Sequence, residues 1–160
     1  MMQQIRQLVT AALGCACMAV SSLAFAQVST DQIAVGGVGP GCTDEYVRSI
    51  YGDPSQSAQM TSDTGVQYTT WQYGGSFIVG FLDRDHTAAY VTCTADNLAT
   101  PGGVTVGMTA DVLGNVYGSA DQIYGYQDKS LYVYSDDHGN SLSFDVQNFY
   151  IVSINVRAAS

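Results

Sequence analysis

The sequence predicts an α+β fold of two tandem repeats, each a short helix or helix pair packed on a three- to four-stranded antiparallel sheet. Three observations predict it. Residues 102–118, GGVTVGMTADVLGNVYG, restate residues 36–52, GGVGPGCTDEYVRSIYG, without a gap, and internal repetition of this kind sets the architecture before any local reading. Each copy is followed by three runs rich in Val, Ile, Thr, Tyr and Phe, residue types that suit a pleated, half-buried surface. The acidity is nearly all aspartate, with Glu45 the only glutamate, and it gathers where Gly, Ser, Thr and Asn also sit; this is turn composition rather than helix composition.

In chain order, MMQQIRQ carries one positive charge, an apolar run follows, and Ala24-Phe25-Ala26 closes it. That order is a secretory signal peptide over residues 1–26, with Gln27 first in the mature chain. Ala12-Leu13-Gly14-Cys15 approximates a lipobox, but acylation at Cys15 leaves apolar residues 16–25 hanging from the anchor, so conventional cleavage is the better reading. The protein is therefore expected outside the cytoplasm, periplasmic or secreted, with no membrane insertion after cleavage. The first repeat is assigned to residues 27–96, a linker to 97–101 (NLATP) and the second repeat to 102–160.

Each copy begins with a helix. Thr43 and Thr109 read as N-caps, with Asp44, Glu45 and Asp111 in the first turn where the helix dipole favours negative charge. Gly52 and Gly118 read as the terminating glycines. Tyr46, Val47, Ile50 and Tyr51 share one side, as do Val112, Leu113, Val116 and Tyr117. A polar passage over 53–65 has room for one more helical turn near 55–60. Strands are then expected at 68–73, 76–82 and 88–94, and again at 130–135, 141–146 and 150–156.

Alternation assigns the faces. Leu142, Phe144 and Val146 are expected inward, with Phe77, Val79 and Phe81 matching them, and Val152, Ile154 and Val156 with Ala89, Val91 and Cys93. Once the signal is removed, Cys42 and Cys93 remain, and an oxidising compartment favours their pairing. Cys42 opens the helix and Cys93 faces the side on which it packs; a bridge closing about fifty residues would stabilise the chain by roughly 4 kcal/mol.

The net charge is −9, and the mature chain keeps only Arg48, Arg84, Lys129 and Arg157 as basic residues. Such a surface repels phosphate backbones and anionic headgroups, which excludes nucleic acid and favours cationic partners. The cysteines have neither redox nor zinc spacing. The glycine-rich residues 36–41 lack the lysine and the preceding strand of a phosphate loop. No cofactor, metal site or catalytic triad is expected. Asp83, Asp85 and His86 share one turn, and Asp136, Asp137 and His138 another, but neither matches a calcium loop.

Binding is the remaining class of function. The outward faces mix apolar, aromatic and hydroxyl groups, which suits a protein interface. The candidate contacts are Tyr90, Leu131, Val133 and Tyr134 on the strands, and Asp136, Asp137, His138 and Asn140 in a turn able to enter a partner's cleft. An extracytoplasmic hydrolase or cation-binding protein using the Asp/His turns is the alternative.

Residues 104–118 (VTVGMTADVLGNVYG), followed by LYVY at 131–134 and LSF at 142–144, resemble the signature of the SmpA/OmlA family of BamE-like envelope proteins. Two such units in an exported chain also resemble the two-repeat fold of β-lactamase inhibitory proteins. The resemblance implies helices on one face of each sheet, a protein partner on the other, and action as an inhibitor or as an assembly factor. Two units instead of one, and no preferred lipidated cysteine, depart from the BamE-like pattern.

Overall fold

The computed structural model describes residues 27–160; the expected signal peptide and Cys15 lie outside them. A 3₁₀ turn, Thr30–Gln32, is followed by α1 (Asp44–Tyr51), β1 (Gln56–Thr61), β2 (Gln67–Tyr73), β3 (Phe77–Leu82) and β4 (Ala88–Cys93). Next come α2 (Asp111–Tyr117), β5 (Gln122–Tyr126), β6 (Lys129–Ser135), β7 (Ser141–Gln147) and β8 (Tyr150–Arg157). The chain is thus α+β, with one eight-stranded antiparallel sheet in the order β1-β2-β3-β4-β8-β7-β6-β5.

Helix α1 is capped as its sequence predicts, the Thr43 hydroxyl accepting from the Tyr46 amide at 3.2 Å. Helix α2 is not: its N-cap is Ala110, which offers no side-chain acceptor, and the Thr109 hydroxyl donates instead to the Asp111 carboxylate. Both helices end on glycines at positive φ, Gly52 at 74° and Gly118 at 76°. Each buries mainly one i, i+4 pair, Val47 with Tyr51 and Leu113 with Tyr117, while Tyr46, Ile50 and Val116 are exposed. Short helices need no wider stripe when loops share the covering of the sheet.

Both helices lie on one side. Tyr51 packs on Phe77, with ring centroids 4.9 Å apart, and Arg48 sits over Trp71 at 4.7 Å. Tyr117 meets Phe144 at 5.6 Å and Tyr134 at 5.2 Å. Cross-strand register runs from Trp71 through Val79, Val91, Val156 and Leu142 to Tyr134, so one face of the sheet carries the whole core. Segment 97–101 belongs to this layer and is not a free linker: Thr100 is buried, its hydroxyl 2.6 Å from that of Tyr117.

Two strands escaped the sequence reading. β1 occupies the passage where a helical turn was expected, and β5 had no assignment; both are sheet edges, exposed at every residue. With no buried face, neither needs the period-2 pattern that marks the inner strands. The inward set also departs by one residue at two places, Ala88 and Ile151 being buried instead of Ala89 and Val152. β-bulges between Gly80 and Phe81 and between Asp145 and Val146 cause this, since one extra residue reverses the parity beyond it.

Burial pushes the Tyr134 hydroxyl up to about 12, helped by Tyr132, Tyr117 and Asp121, and pushes Tyr51, Tyr73 and Tyr117 upward as well. Because the folded state holds these phenols neutral, their stabilisation is complete below the unfolded tyrosine value near pH ~10 and is lost as pH rises through the folded value. The urea midpoint should therefore fall above about pH 10, and Tyr134→Phe should flatten that fall. An unchanged midpoint across the range would contradict it.

Candidate functional site

The side of the sheet opposite the helices is covered by no described element. Its central row reads Gln56, Gln72, Ile78, Thr92, Asn155, Ser143, Val133, Gln122 across all eight strands, and every member is half-buried or exposed. Leu131 shares this face beside Asp145, its cross-strand neighbour. Among the described residues the strands carry just three charged residues, Lys129, Asp145 and Arg157; the other described charges sit in helices, turns and loops. The open face is thus charge-poor, bearing hydroxyl and amide groups with scattered apolar side chains.

Of the sequence-derived contacts, Leu131 and Val133 lie on this open face. Tyr90 does too, but not as a free side chain. Its ring lies over Gly80 so closely that a Cβ there would come within 2.0 Å of it. The Tyr90 hydroxyl is 2.7 Å from that of Thr70, which is buried as a result. Tyr134 belongs to the opposite side: it is 1 % exposed and packs under α2. It is a core residue and not a contact, because it alternates with Leu131 and Val133 along β6.

The turn after β6 divides in two. Asp137 and His138 are exposed, with Nδ1 of His138 2.7 Å from the Asp137 carboxylate. Asp136 and Asn140 are buried. One Asp136 oxygen accepts from the amides of His138 (2.9 Å) and Asn140 (2.8 Å), and the other from the Thr30 hydroxyl and the Asn140 side-chain amide, both at 2.7 Å. Asn140 in turn accepts from the Ala159 amide at 2.9 Å. These two residues lash the amino-terminal lead and the carboxy-terminal end to the hairpin, so they are structural and cannot reach a partner. Asp136, Asp137 and His138 do bring ligating atoms within 4.8 Å of one another, yet both Asp136 oxygens are already engaged. The other Asp/His turn holds His86 3.3 Å from Asp44.

Cys42 and Cys93 do not pair; both thiols are free. The Cys42 carbonyl accepts from the Ala88 amide at the start of β4, whereas Cys93 ends that strand. Five residues at about 3.3 Å each separate the two by roughly 16 Å, beyond the ~7 Å Cα limit for a bridge. The start of α1 bridges to the start of β4 through Thr43 and Thr87, and it is the far end of the helix, at Tyr51, that packs on Phe77, the cross-strand partner of Cys93. Sequence parity found the correct face but not the distance along it.

Fold and face together define an antiparallel sheet protein with helices on one side and an open opposite side. The sequence matches no protein-family model and no curated protein. Among solved structures, the chain is similar to an extracellular protein containing a SCP domain from Bacillus anthracis str. Ames, with a TM-score of 0.50 and 9% identity over 99% of this chain. The chain spans 50% of that protein's length, and the likeness is one of fold. Weaker likenesses are to the uncharacterized protein yfeY from Escherichia coli (TM-score 0.48, 13% identity, 79% of this chain and 97% of that one) and to a candidate beta-lactamase inhibitor protein from Streptococcus mutans (TM-score 0.33, 13% identity, 69% and 79%). Among the described residues, no helix is long and apolar enough to cross a membrane.

Proposed function

We propose that this is an exported, non-enzymatic protein-binding module of the bacterial cell envelope, made of two BLIP/SmpA-like repeats that grip a partner across the open sheet face as an inhibitor or a scaffold. The observation that carries the reading is the uncovered, charge-poor row across all eight strands. Eight strands about 4.8 Å apart present a surface roughly 35 Å wide, ample for a standard interface. With a net charge of −9 overall and few charges on the face itself, the fitting partner has an uncharged centre and a basic overall charge.

The sheet register supports the duplication. β4 and β8 pair with Thr92 opposite Asn155, flanked by Val91–Val156 and Cys93–Ile154, as a two-fold relation between equivalent strands requires. The bulges fall at equivalent places. Main-chain bonds from Gly41 to Ala88 and from Ala88 to Cys42 have counterparts from Gly107 to Ile151 and from Ile151 to Met108.

The test is capture from envelope and secreted fractions on the immobilised purified protein, compared with Val133→Lys on the open face and Ile50→Lys on the helix side. A specific partner should be retained by the wild type and by Ile50→Lys, and lost at least about tenfold with Val133→Lys. Equal capture by all three, or none by the wild type, refutes the reading.

A further inference from the structure

Only four basic residues follow residue 26, and two of them, Arg84 and Arg157, line one cavity of about 390 Å³ at the end of the open face. Its other walls include Val66, Tyr68, Leu82 and Tyr90. We propose that this cavity binds an organic carboxylate carried on an apolar or aromatic group. The proposal goes beyond protein binding by the central row and does not depend on it.

The architecture of the cavity follows from register. Tyr68 pairs with Leu82, and Tyr90 with Arg157, which places an aromatic, an aliphatic and a guanidinium group around one hollow. Tyr90 is held flat by Gly80 beneath it and by the Thr70 hydroxyl at its tip, and Tyr68 meets it edge-on, with centroids 6.2 Å apart. The pair in β7 and β8 that corresponds to Gly80 opposite Tyr90 is Asp145 opposite Ser153, which has no ring. The hollow is therefore particular to the Tyr90 half.

The electrostatics select the ligand. Arg157 makes no ion pair among the described residues, and Arg84 meets Asp85 through Nε at 3.3 Å, leaving its terminal nitrogens for another acceptor. The neighbouring Asp83 carboxylate is engaged by the Thr69 hydroxyl at 2.7 Å. In a chain of net charge −9, two of the four arginine and lysine side chains after residue 26 share the lining of one cavity with two phenol rings. A planar carboxylate fits an arginine fork, and rings fit the attached apolar group. The volume lies in the range of small-ligand sites.

The test is NMR titration of the purified protein with indole-3-acetate against indole-3-acetamide, and with a short peptide ending in Phe as free acid against its amide. Each acid should shift the amides of residues 66–68, 82–90 and 157–160 and bind at least about tenfold tighter than its amide. Arg157→Gln and Arg84→Gln should each lower affinity about tenfold with an unchanged thermal midpoint. Gly80→Ala should displace Tyr90 and weaken binding too. A tighter fit for the peptide assigns the site to a protein chain end, and a tighter fit for indole-3-acetate to a free metabolite; either upholds carboxylate recognition. Equal affinity for acid and amide, no shifts at millimolar ligand, or indifference to both arginine substitutions overturns it. Val133→Lys, in the other half of the sheet, should leave this binding unchanged, so the two functional readings can fail separately.

Discussion

Truncating Phe144 to alanine should destabilise the protein by about 4 kcal/mol. Its side chain is wholly buried, and it supports Tyr117 of α2 at 5.6 Å and Tyr134 of β6 at 6.1 Å. The loss combines removal of apolar area from the core with a cavity that a sheet bonded on both sides cannot close. Phe149→Ala provides the contrast, because that side chain is 82% exposed and its removal should change stability by no more than about 0.5 kcal/mol. Urea unfolding of both variants checks the pair, and similar midpoints would contradict the assignment of the core to the helix side.

Asp136→Ala should cost about 3 kcal/mol, because it strands four buried or half-buried donors at once: the Thr30 hydroxyl, the Asn140 side chain, and the amides of His138 and Asn140. Asp136→Asn should cost less, since one carbonyl acceptor survives. Burial alone raises the Asp136 carboxyl pKa, but the hydrogen bonds from Asn140, Thr30 and His138 outweigh it and hold the group below its ordinary value of 3.8. The folded state therefore favours the carboxylate, so this stabilisation is present above the unfolded value and is lost as pH falls through the lower folded one. Acid unfolding should accordingly be less steep in Asp136→Ala. Wild-type stability and an unchanged acid limb in that variant would show that the turn is not the anchor described.

The parts legible in the sequence were those where one residue's neighbours along the chain set its environment. Thr43 caps α1 because its acceptor is three residues from its donor, and Phe77, Val79 and Phe81 alternate because a single face is buried. The parts that failed depend on groups distant in sequence. The edge strands β1 and β5 bury neither face and so carry no pattern. The bulge opposite Gly80 and Phe81 leaves Ala89 of β4 unpaired and turns Ala88 inward, and nothing in the local sequence Ala88-Ala89 marks which alanine is the extra one. Tyr134, Asp136 and Asn140 look like contacts when read as a polar hairpin tip. They become core and anchor only once Tyr117, Thr30 and Ala159 are brought against them.

The amino-acid sequence by itself determined the class of fold, the two glycine-terminated helical stretches, the six inner strands and the acidic, aspartate-rich turns, because these follow from spacing and composition within a dozen residues. Only the tertiary structure decided that the strands join into one sheet through β4 and β8 and that Cys42 and Cys93 stay apart. It also placed Arg84, Arg157, Tyr68 and Tyr90 around one hollow on the open face. Strand order and register are set by which long-range pairings bury the most apolar surface, and that competition is settled only among segments far apart in the chain.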